Sequence, residues 1–488
     1  MLKKFIIVSI ISVISSISAM AAGPRQSAVN RFVNSKALTH ATAGVCVMDI
    51  KTGKTIAGYN TDKGIVSAST MKIVTSASAL EILGKNYTYH TRVYAIGNTD
   101  NNGKFSGQIM IKGCGDPTLG SRFFDEHTAF VDTLVDCIEN HGINSIDGEI
   151  MLDKSGIPDA PIPGYWMLED ISESYGTGYH AVNFADNQMK IKFTYHDDGT
   201  YSAGTDPEMP WMHILCNLRR HITGDTANRP GITTRINYND TSFEINGIVA
   251  KRRRGKEDFA SWYANPAPDR LLVDSIKNAL ALHDIALNTA SIEMGGQKAD
   301  TLLLLDYKSP SLSEIIKSTL FRSDNMFAEA LLRTLPANAS RPATSGNGVG
   351  MVNRLWKTKG LDTDQLAMKD GSGLARNGWT TPKFLCDVLR TVYTDRRAIG
   401  TDYSELLPRA GREGSVKWML RRSPLRGNIV LKSGSMGGVQ CYAGYYPAKN
   451  PQYAVAVMVN NFSEKRKDVV KQVETLLEDL FAPNSNGK

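Results

Sequence analysis

The chain has 488 residues, 42% hydrophobic and 22% charged, with 42 Gly and 19 Pro in no repeating pattern. At roughly 150 residues per domain this is about three domains, or one carrying a large insertion, which excludes a small scaffold and a low-complexity chain. The formal charge of +7 falls to about +5 once Lys3 and Lys4 are set aside with a leader, too small a surplus to indicate a nucleic-acid partner.

The predicted elements begin with that leader. Lys3 and Lys4 precede an apolar stretch over 5–17, and Ala19-Met20-Ala21 is a small-x-small cleavage site. Residues 1–22 therefore read as a secretory signal peptide, and the apolar stretch is shorter than the roughly 20 residues a spanning helix needs. No transmembrane segment is expected later in the chain, so the mature protein is expected to be soluble and exported. Its six cysteines, Cys46, Cys114, Cys137, Cys216, Cys386 and Cys441, include no C-x-x-C pair and read as buried free thiols.

Residues 45–59 alternate around Lys51-Thr52-Gly53-Lys54 and predict a β-hairpin. Over 69–83, Met71, Val74, Ala77, Leu80 and Leu83 recur at helical spacing without Gly or Pro, which predicts a buried helix starting near Ser69. Residues 88–304 change character, with short alternating strands at 108–111, 149–152 and 190–193 and a closing helix over 269–283. This predicts a β-rich insert, in two subdomains, splitting a domain formed by 23–87 and 305–488. The run Lys251-Arg252-Arg253-Arg254 within it reads as a solvated turn or a contact to an acidic wall polymer. Helix returns over 311–335, a strand pair follows at 428–431 and 453–459, and an amphipathic helix over 467–481 packs on the sheet.

Several chemistries lack their residues. There is no H-E-x-x-H or H-x-H for zinc, no G-x-S-x-G elbow and no G-x-x-x-x-G-K-[ST] phosphate loop. Neither a metal nor a cofactor is expected. What is present is Ser69-Thr70-Met71-Lys72, an S-x-x-K that places hydroxyl and amine one helical turn apart on one face. A lysine whose pKa is lowered by burial and a second cation can take the serine proton. The spacing recurs at 485–488 in the polar tail, but only the first copy opens an apolar helix.

Ser323-Asp324-Asn325 lies within the helical stretch of 311–335, where polar residues need a use; Ser345-Gly346-Asn347 repeats the spacing in a Gly-rich loop. Ser323 could relay a proton while the Asn325 amide holds Lys72 and a substrate carbonyl, or the triplet could be a helix cap. Lys-[Ser/Thr]-Gly occurs at Lys51, Lys154 and Lys432, and only Lys432-Ser433-Gly434-Ser435 lies downstream of the other two elements. On an edge strand beside Ser69, Lys432, Ser433 and Ser435 would bind a substrate carboxylate. Gly434 would admit the substrate backbone, and the Ser435 N–H would complete an oxyanion hole.

This ordered trio resembles the penicilloyl-serine transferases, the β-lactamases and penicillin-binding proteins. Ser69 and Ser323 are about 250 positions apart, and an insert there resembles the class C low-molecular-mass penicillin-binding proteins, the D-Ala-D-Ala carboxypeptidase/endopeptidase family. Gly113-Cys114-Gly115-Asp116-Pro117-Thr118-Leu119 and Asp370-Gly371-Ser372-Gly373-Leu374-Ala375-Arg376 agree with it. The resemblance implies an α+β fold, a transpeptidase-like antiparallel sheet flanked by helices with a large β insert, in the periplasm with possible peripheral association with the wall. It implies acyl transfer on peptidoglycan stem peptides, with β-lactams as covalent inhibitors.

Carried over by position, Ser69 is the nucleophile, Lys72 the acylation base, Ser323 and Lys432 a second proton path, and Asn325 a positioner. Arg376 would line the subsite for the donor peptide's side chain, and Asp159 would meet a substrate ammonium. Two departures are Ser433 where Thr is more usual and Gly437 where some relatives present a longer polar side chain. The alternatives are a β-lactamase or esterase on the same fold, for which no E-x-x-L-N-like element stands out, and a non-catalytic wall-binding protein.

Overall fold

The structure is a computed structural model that describes residues 23–124, 129–220, 231–237, 241–249, 258–288 and 300–482. The leader, the basic run at 251–254 and the S-x-x-K at 485–488 lie outside the described residues.

Helix α1 (Pro24–Val33) starts on a proline, whose missing N–H is free of cost in a first turn. The hairpin follows as β1 (Thr42–Asp49) and β2 (Thr55–Tyr59), antiparallel, with Asp49 Oδ1 accepting from Thr52 N and Oγ1 in the turn. The first Lys-Thr-Gly copy is thus a hairpin turn. A 3₁₀ turn, Ala68–Thr70, then feeds helix α2 (Met71–Leu83), in which every residue from Met71 to Leu80 is buried. A helix covered on all sides can be apolar all round, as this one is but for Lys72, its small hydroxyl residues and Glu81 in the last turn, which pairs with Lys359.

The next segment supplies β3 (His90–Thr99), β4 (Lys104–Lys112), α3 (Phe130–Asn140) and β5 (Ser145–Asp153). It continues with β6 (Gln188–Tyr195), β7 (Tyr201–Asp206), β8 (His213–Arg220), β9 (Thr233–Asn237), β10 (Ser242–Val249) and β11 (Phe259–Ala264). Helix α4 (Pro268–Leu282), β12 (Ala286–Asn288) and β13 (Asp300–Lys308) complete it. Its strands form a mixed sheet in the order β12-β5-β4-β3-β13 and two three-stranded sheets, β11-β6-β7 and β8-β10-β9. Its apolar side chains, among them Phe105, Phe130, Phe193, Phe243 and Leu272, share one buried cluster.

Helix α5 (Leu312–Arg322) opens on a Ser311–Glu314 capping box and α6 (Asn325–Asn338) on Asp324, whose side chain accepts from Phe327 N. The expected continuous helix is therefore broken: Ser323 takes a left-handed conformation, φ 64°, between two helices. Ser345-Gly346-Asn347, expected in a loop, is instead the first turn of α7 (Ser345–Thr358), because Thr344 caps it through Asn347 N. A short pair, β14 (Leu366–Ala367) and β15 (Trp379–Thr380), precedes α8 (Pro382–Thr394) and α9 (Arg396–Ile399).

The chain closes with β16 (Val430–Met436), β17 (Val439–Tyr446), β18 (Tyr453–Asn460) and α10 (Arg466–Phe481). The central sheet is antiparallel in the order β16-β17-β18-β1-β2, so the expected pairing of the strands near 430 and 455 is corrected: β17 lies between them. Val45, Val47, Val455 and Val457 face α1 and α10, while Cys46, Met48, Ala454 and Ala456 face the cluster of α2, α5, α6 and α8. This alternation is the period of two of a strand with both faces covered. Among the described residues all six cysteines are free, and no helix is long and apolar enough to cross a membrane.

The segment of 159–180 docks on α6. Arg333, fully buried, donates from Nη1 to Ala160 O (2.8 Å) and from Nε to Ser345 Oγ (3.0 Å), and its guanidinium lies 5.5 Å from the Tyr179 ring centroid. Arg333→Ala removes the donor of both part-buried hydrogen bonds and costs about 1–3 kcal/mol. The expected result is an earlier midpoint in thermal unfolding, and an unchanged midpoint would contradict this reading of the contact.

Candidate active site

Ser69 sits in the 3₁₀ turn, half-buried, directly after Ala68 at φ 45°, a costly conformation for a residue with a Cβ. The turn is wedged between strand β16 and the loop of 370–375. A Cβ on Gly434 would lie 2.7 Å from Ser67 O and 3.0 Å from Ser69 N, so strand β16 runs against the turn only because that position is glycine. Gly373, at φ 77°, packs as closely on Ala68 from the other side.

Lys72, one helical turn beyond Ser69 and fully buried, directs Nζ at three oxygens: Ser69 Oγ (2.9 Å), Asn325 Oδ1 (2.5 Å) and Ser372 O (2.8 Å). Burial pushes its pKa down to about 8, against the pull of Asp370, Asp324 and Glu329. The expectation that a second cation lowers Lys72 is corrected: the neighbouring cation acts on Lys432, which burial first and the Lys72 charge second hold well below the usual lysine range. Lys432 Nζ donates to Ser323 Oγ (2.9 Å) and to Ser433 O. The left-handed turn at Ser323 brings that hydroxyl to the lysine, so the triplet is both a helix cap and part of the cluster.

Asn325 is held at both ends of its amide, with Oδ1 on Lys72 and Nδ2 donating to Tyr175 O (2.7 Å). Ser433 Oγ lies 2.7 Å from Ser415 Oγ, and Ser435 Oγ meets Gln440 Oε1 (3.2 Å) and Arg466 Nη1. Arg376 reaches the end of the same strand, since a Cβ on Gly437 would lie 3.6 Å from its guanidinium nitrogens. Its partner is Glu169, 3.5 Å away and two-thirds exposed. Asp159 is not part of this group. Its Oδ2 accepts from Ser345 N (2.9 Å) and lies 3.9 Å from Arg333 Nη1, so it helps seat 159–160 on α6 and α7.

The loop of 370–375 is fixed by two buried carboxylates. Glu329 Oε1 accepts from Gly371 N and Ser372 N, both 2.9 Å, which aims the Ser372 carbonyl at Lys72. Asp370 accepts from Gly373 N, Ala375 N and Trp166 Nε1. Ser372, Glu329, Tyr175, Ser415, Glu169 and Arg466 are the residues sequence reasoning missed; Glu329 stands one turn after Asn325 on α6, where the i, i+4 spacing could have marked it, and the others reach the cluster from remote parts of the chain. Two hydroxyls, each paired with a buried lysine, face one edge strand; that arrangement can move protons at a nucleophilic serine without a histidine.

An antiparallel sheet between helices, carrying two serine–lysine pairs at its edge, is the α+β transpeptidase-like architecture. The chain belongs to the D-Ala-D-Ala carboxypeptidase 3 (S13) family, whose profile matches residues 25–480. It is 23% identical over 457 residues to the D-alanyl-D-alanine carboxypeptidase DacB of Haemophilus influenzae, covering 90% of this chain and 91% of that protein. With the D-alanyl-D-alanine carboxypeptidase of Actinomadura sp. (strain R39) it shares 24% identity over 456 residues, 89% and 80% of the two chains. The crystal structure of penicillin-binding protein 4 (dacB) from H. influenzae superposes with a TM-score of 0.78 at 22% identity, covering 92% of this chain and 98% of that one.

Acylation through Lys72 needs its neutral amine, so the rate of acylation by a β-lactam is expected to rise with pH through about 8. Burial and then Asp370 raise the Glu329 carboxyl to about 7, so it is mostly ionised at the midpoint of that limb and there favours the Lys72 ammonium. Glu329→Gln should therefore move the limb to lower pH. A stopped-flow pH profile checks this, and a limb that loses amplitude without moving would limit Glu329 to holding the loop.

Proposed function

We propose that this protein is a serine-type D-Ala-D-Ala carboxypeptidase that also cleaves peptidoglycan cross-links, exported to the periplasm and acylated by β-lactams. The observation that carries the reading is the convergence of Ser69–Lys72 and Ser323–Lys432 on the outer edge of β16, beyond the bridge of Val430 to Arg409 at its start. Family membership supports the reaction class, and the H. influenzae protein, also known complexed with a β-lactam, supports the inhibitor class.

An edge strand has unpaired backbone groups, so a stem peptide lies along β16 as an added strand. Its terminal carboxylate meets Ser433 and Ser435, and Asn325 offers the second hydrogen of its Nδ2 to the peptide. Neutral Lys72 takes the Ser69 proton as Oγ attacks the penultimate D-Ala carbonyl, and the oxyanion forms against the N–H groups of Ser69 and Ser435. As the amide C–N bond breaks, the proton taken by Lys72 passes by way of Ser323 and Lys432 to the departing amine, which leaves Lys72 neutral; water then attacks the acyl-enzyme carbonyl, Lys72 takes its proton, and the ester C–O bond breaks as that proton returns to Ser69 Oγ.

Arg376 and Glu169 form a cation–anion pair at the donor end of the strand, and Glu169 takes the place expected of Asp159 in meeting a substrate ammonium. The division into a catalytic part, 23–87 and 305–488, and an insert, 88–304, in two subdomains, is supported by the separate apolar cluster of the insert, although β13 runs across position 304 to Lys308.

The wild-type protein should release D-alanine from a pentapeptide ending in D-Ala-D-Ala, and Ser69→Ala should release none above background. Lys72→Ala should fold normally and lose about 10²–10⁴-fold in rate. A chromogenic D-alanine assay reads both, and release by Ser69→Ala at the wild-type rate would contradict the assignment.

A further inference from the structure

The cleft beside Ser323 is larger than the departure of one alanine requires. It encloses about 590 Å³ and is bounded by Ser323, Asn325, Tyr175, Ser415, Lys417 and Trp418, a volume that suits a ligand of several residues. Its surroundings are cationic and aromatic. The Arg322 guanidinium lies 3.5 Å from the Phe123 ring centroid, and Trp418 is flanked by Lys417 at 5.5 Å and Arg421 at 4.9 Å. Arg122, 4.8 Å from the Phe123 centroid and 4.0 Å from that of Trp262, carries the aromatic row onto the segment of β3–β13, its own charge paired with Asp186 at 3.5 Å. Among the residues bounding the cleft the one carboxylate is Asp324, whose Oδ1 accepts from Phe327 N and whose charge, with that of Asp186, acts on Arg322. Trp418 is 66% exposed, a large aromatic face turned to solvent at the mouth of a polar site.

Strand β16 gives the cleft its place in the reaction. Arg376 stands by Gly437 at one end of the strand, while Ser323 and Ser415 stand by Lys432 and Ser433 at the other. With the donor side chain at Arg376, the amine released from the acyl carbon leaves toward Ser323 and into the cleft.

We propose that this cleft is the subsite for the departing peptide, and that Arg322, Lys417 and the face of Trp418 select one carrying carboxylates beyond that next to the scissile amide. The inference rests on the peptidase reading and extends it to the substrate's amine side. The bond chemistry is that of the parent reaction: the C–N bond breaks, the acyl group passes to Ser69 Oγ, and the amine leaves protonated with its acidic extension. A neutral sugar could stack on Trp418 but would leave Lys417 unanswered and Arg322 with only Asp324 and Asp186 to balance it, so charge complementarity favours the peptide.

The test uses the full mature chain and three substrates sharing one donor peptide. Their leaving groups are D-alanine, D-lysine bearing two glutamates on its side-chain amine, and the same compound with two glutamines. The glutamate substrate should exceed the glutamine substrate in kcat/KM by about three- to ten-fold at low salt, the margin shrinking as salt rises. Lys417→Glu and Arg322→Gln should each reduce that ratio, and Trp418→Ala should weaken both extended substrates relative to D-alanine. Equal rates for the glutamate and glutamine compounds, or a ratio that neither Lys417→Glu nor Arg322→Gln changes, would overturn the proposal while D-alanine release still upholds the peptidase. Failure of the wild type on all three would overturn the peptidase reading and this one with it.

Discussion

The structure turns on one ammonium group placed where water cannot reach it. Burying a lysine costs several kcal/mol even after the surroundings relax, and the protein meets that cost with three oxygens set around Lys72 Nζ. Each oxygen comes from a different part of the chain: the 3₁₀ turn before α2, the start of α6 and the loop of 370–375. The compensation is incomplete, and the base role proposed for Lys72 rests on that incompleteness. With full compensation the lysine would stay protonated; with its pKa near 8 it spends an appreciable fraction of time as a free amine facing Ser69.

The same constraint explains why the carboxylates stand one step back. Glu329 and Asp370 bind the backbone of 371–375 and no lysine nitrogen, so they shape the loop and temper the desolvation of Lys72 without forming an ion pair with it. The segment of 88–304 takes part as well. Tyr175 O holds the Asn325 amide and Trp166 holds Asp370, so the geometry at Ser69 depends on how that segment docks. Arg333, buried with the Tyr179 ring beneath its guanidinium, is the pin of that docking.

Much of this was legible in the sequence because local chemistry wrote it there. The hairpin, α2, α4 and α10 follow from periodicity, and the three motifs follow from the spacing of serine and lysine on a helix and a strand. Strand β17 was not legible: seven of its eight residues are buried, so it shows no alternation, and Gln440, Ala443 and Gly444 dilute the strand preference of Val439 and its tyrosines. The break at Ser323 was hidden because its left-handed turn is set by the Asp324 cap and Lys432, contacts that helical spacing cannot register. Asp159 looked available beside its prolines, yet Ser345 N and Arg333 occupy it, while Glu169 gave no local signal before folding placed it by Arg376.

The central claim is that Ser69, poised by a partly neutral Lys72, forms a covalent acyl-enzyme. Intact-mass measurement of the mature protein mixed with benzylpenicillin, followed by peptide mapping of the adduct, tests it most directly. The account predicts one drug molecule added to the wild type, located on Ser69, and none on Ser69→Ala. An adduct that forms on Ser69→Ala at the wild-type rate, or that maps to another residue, would contradict it.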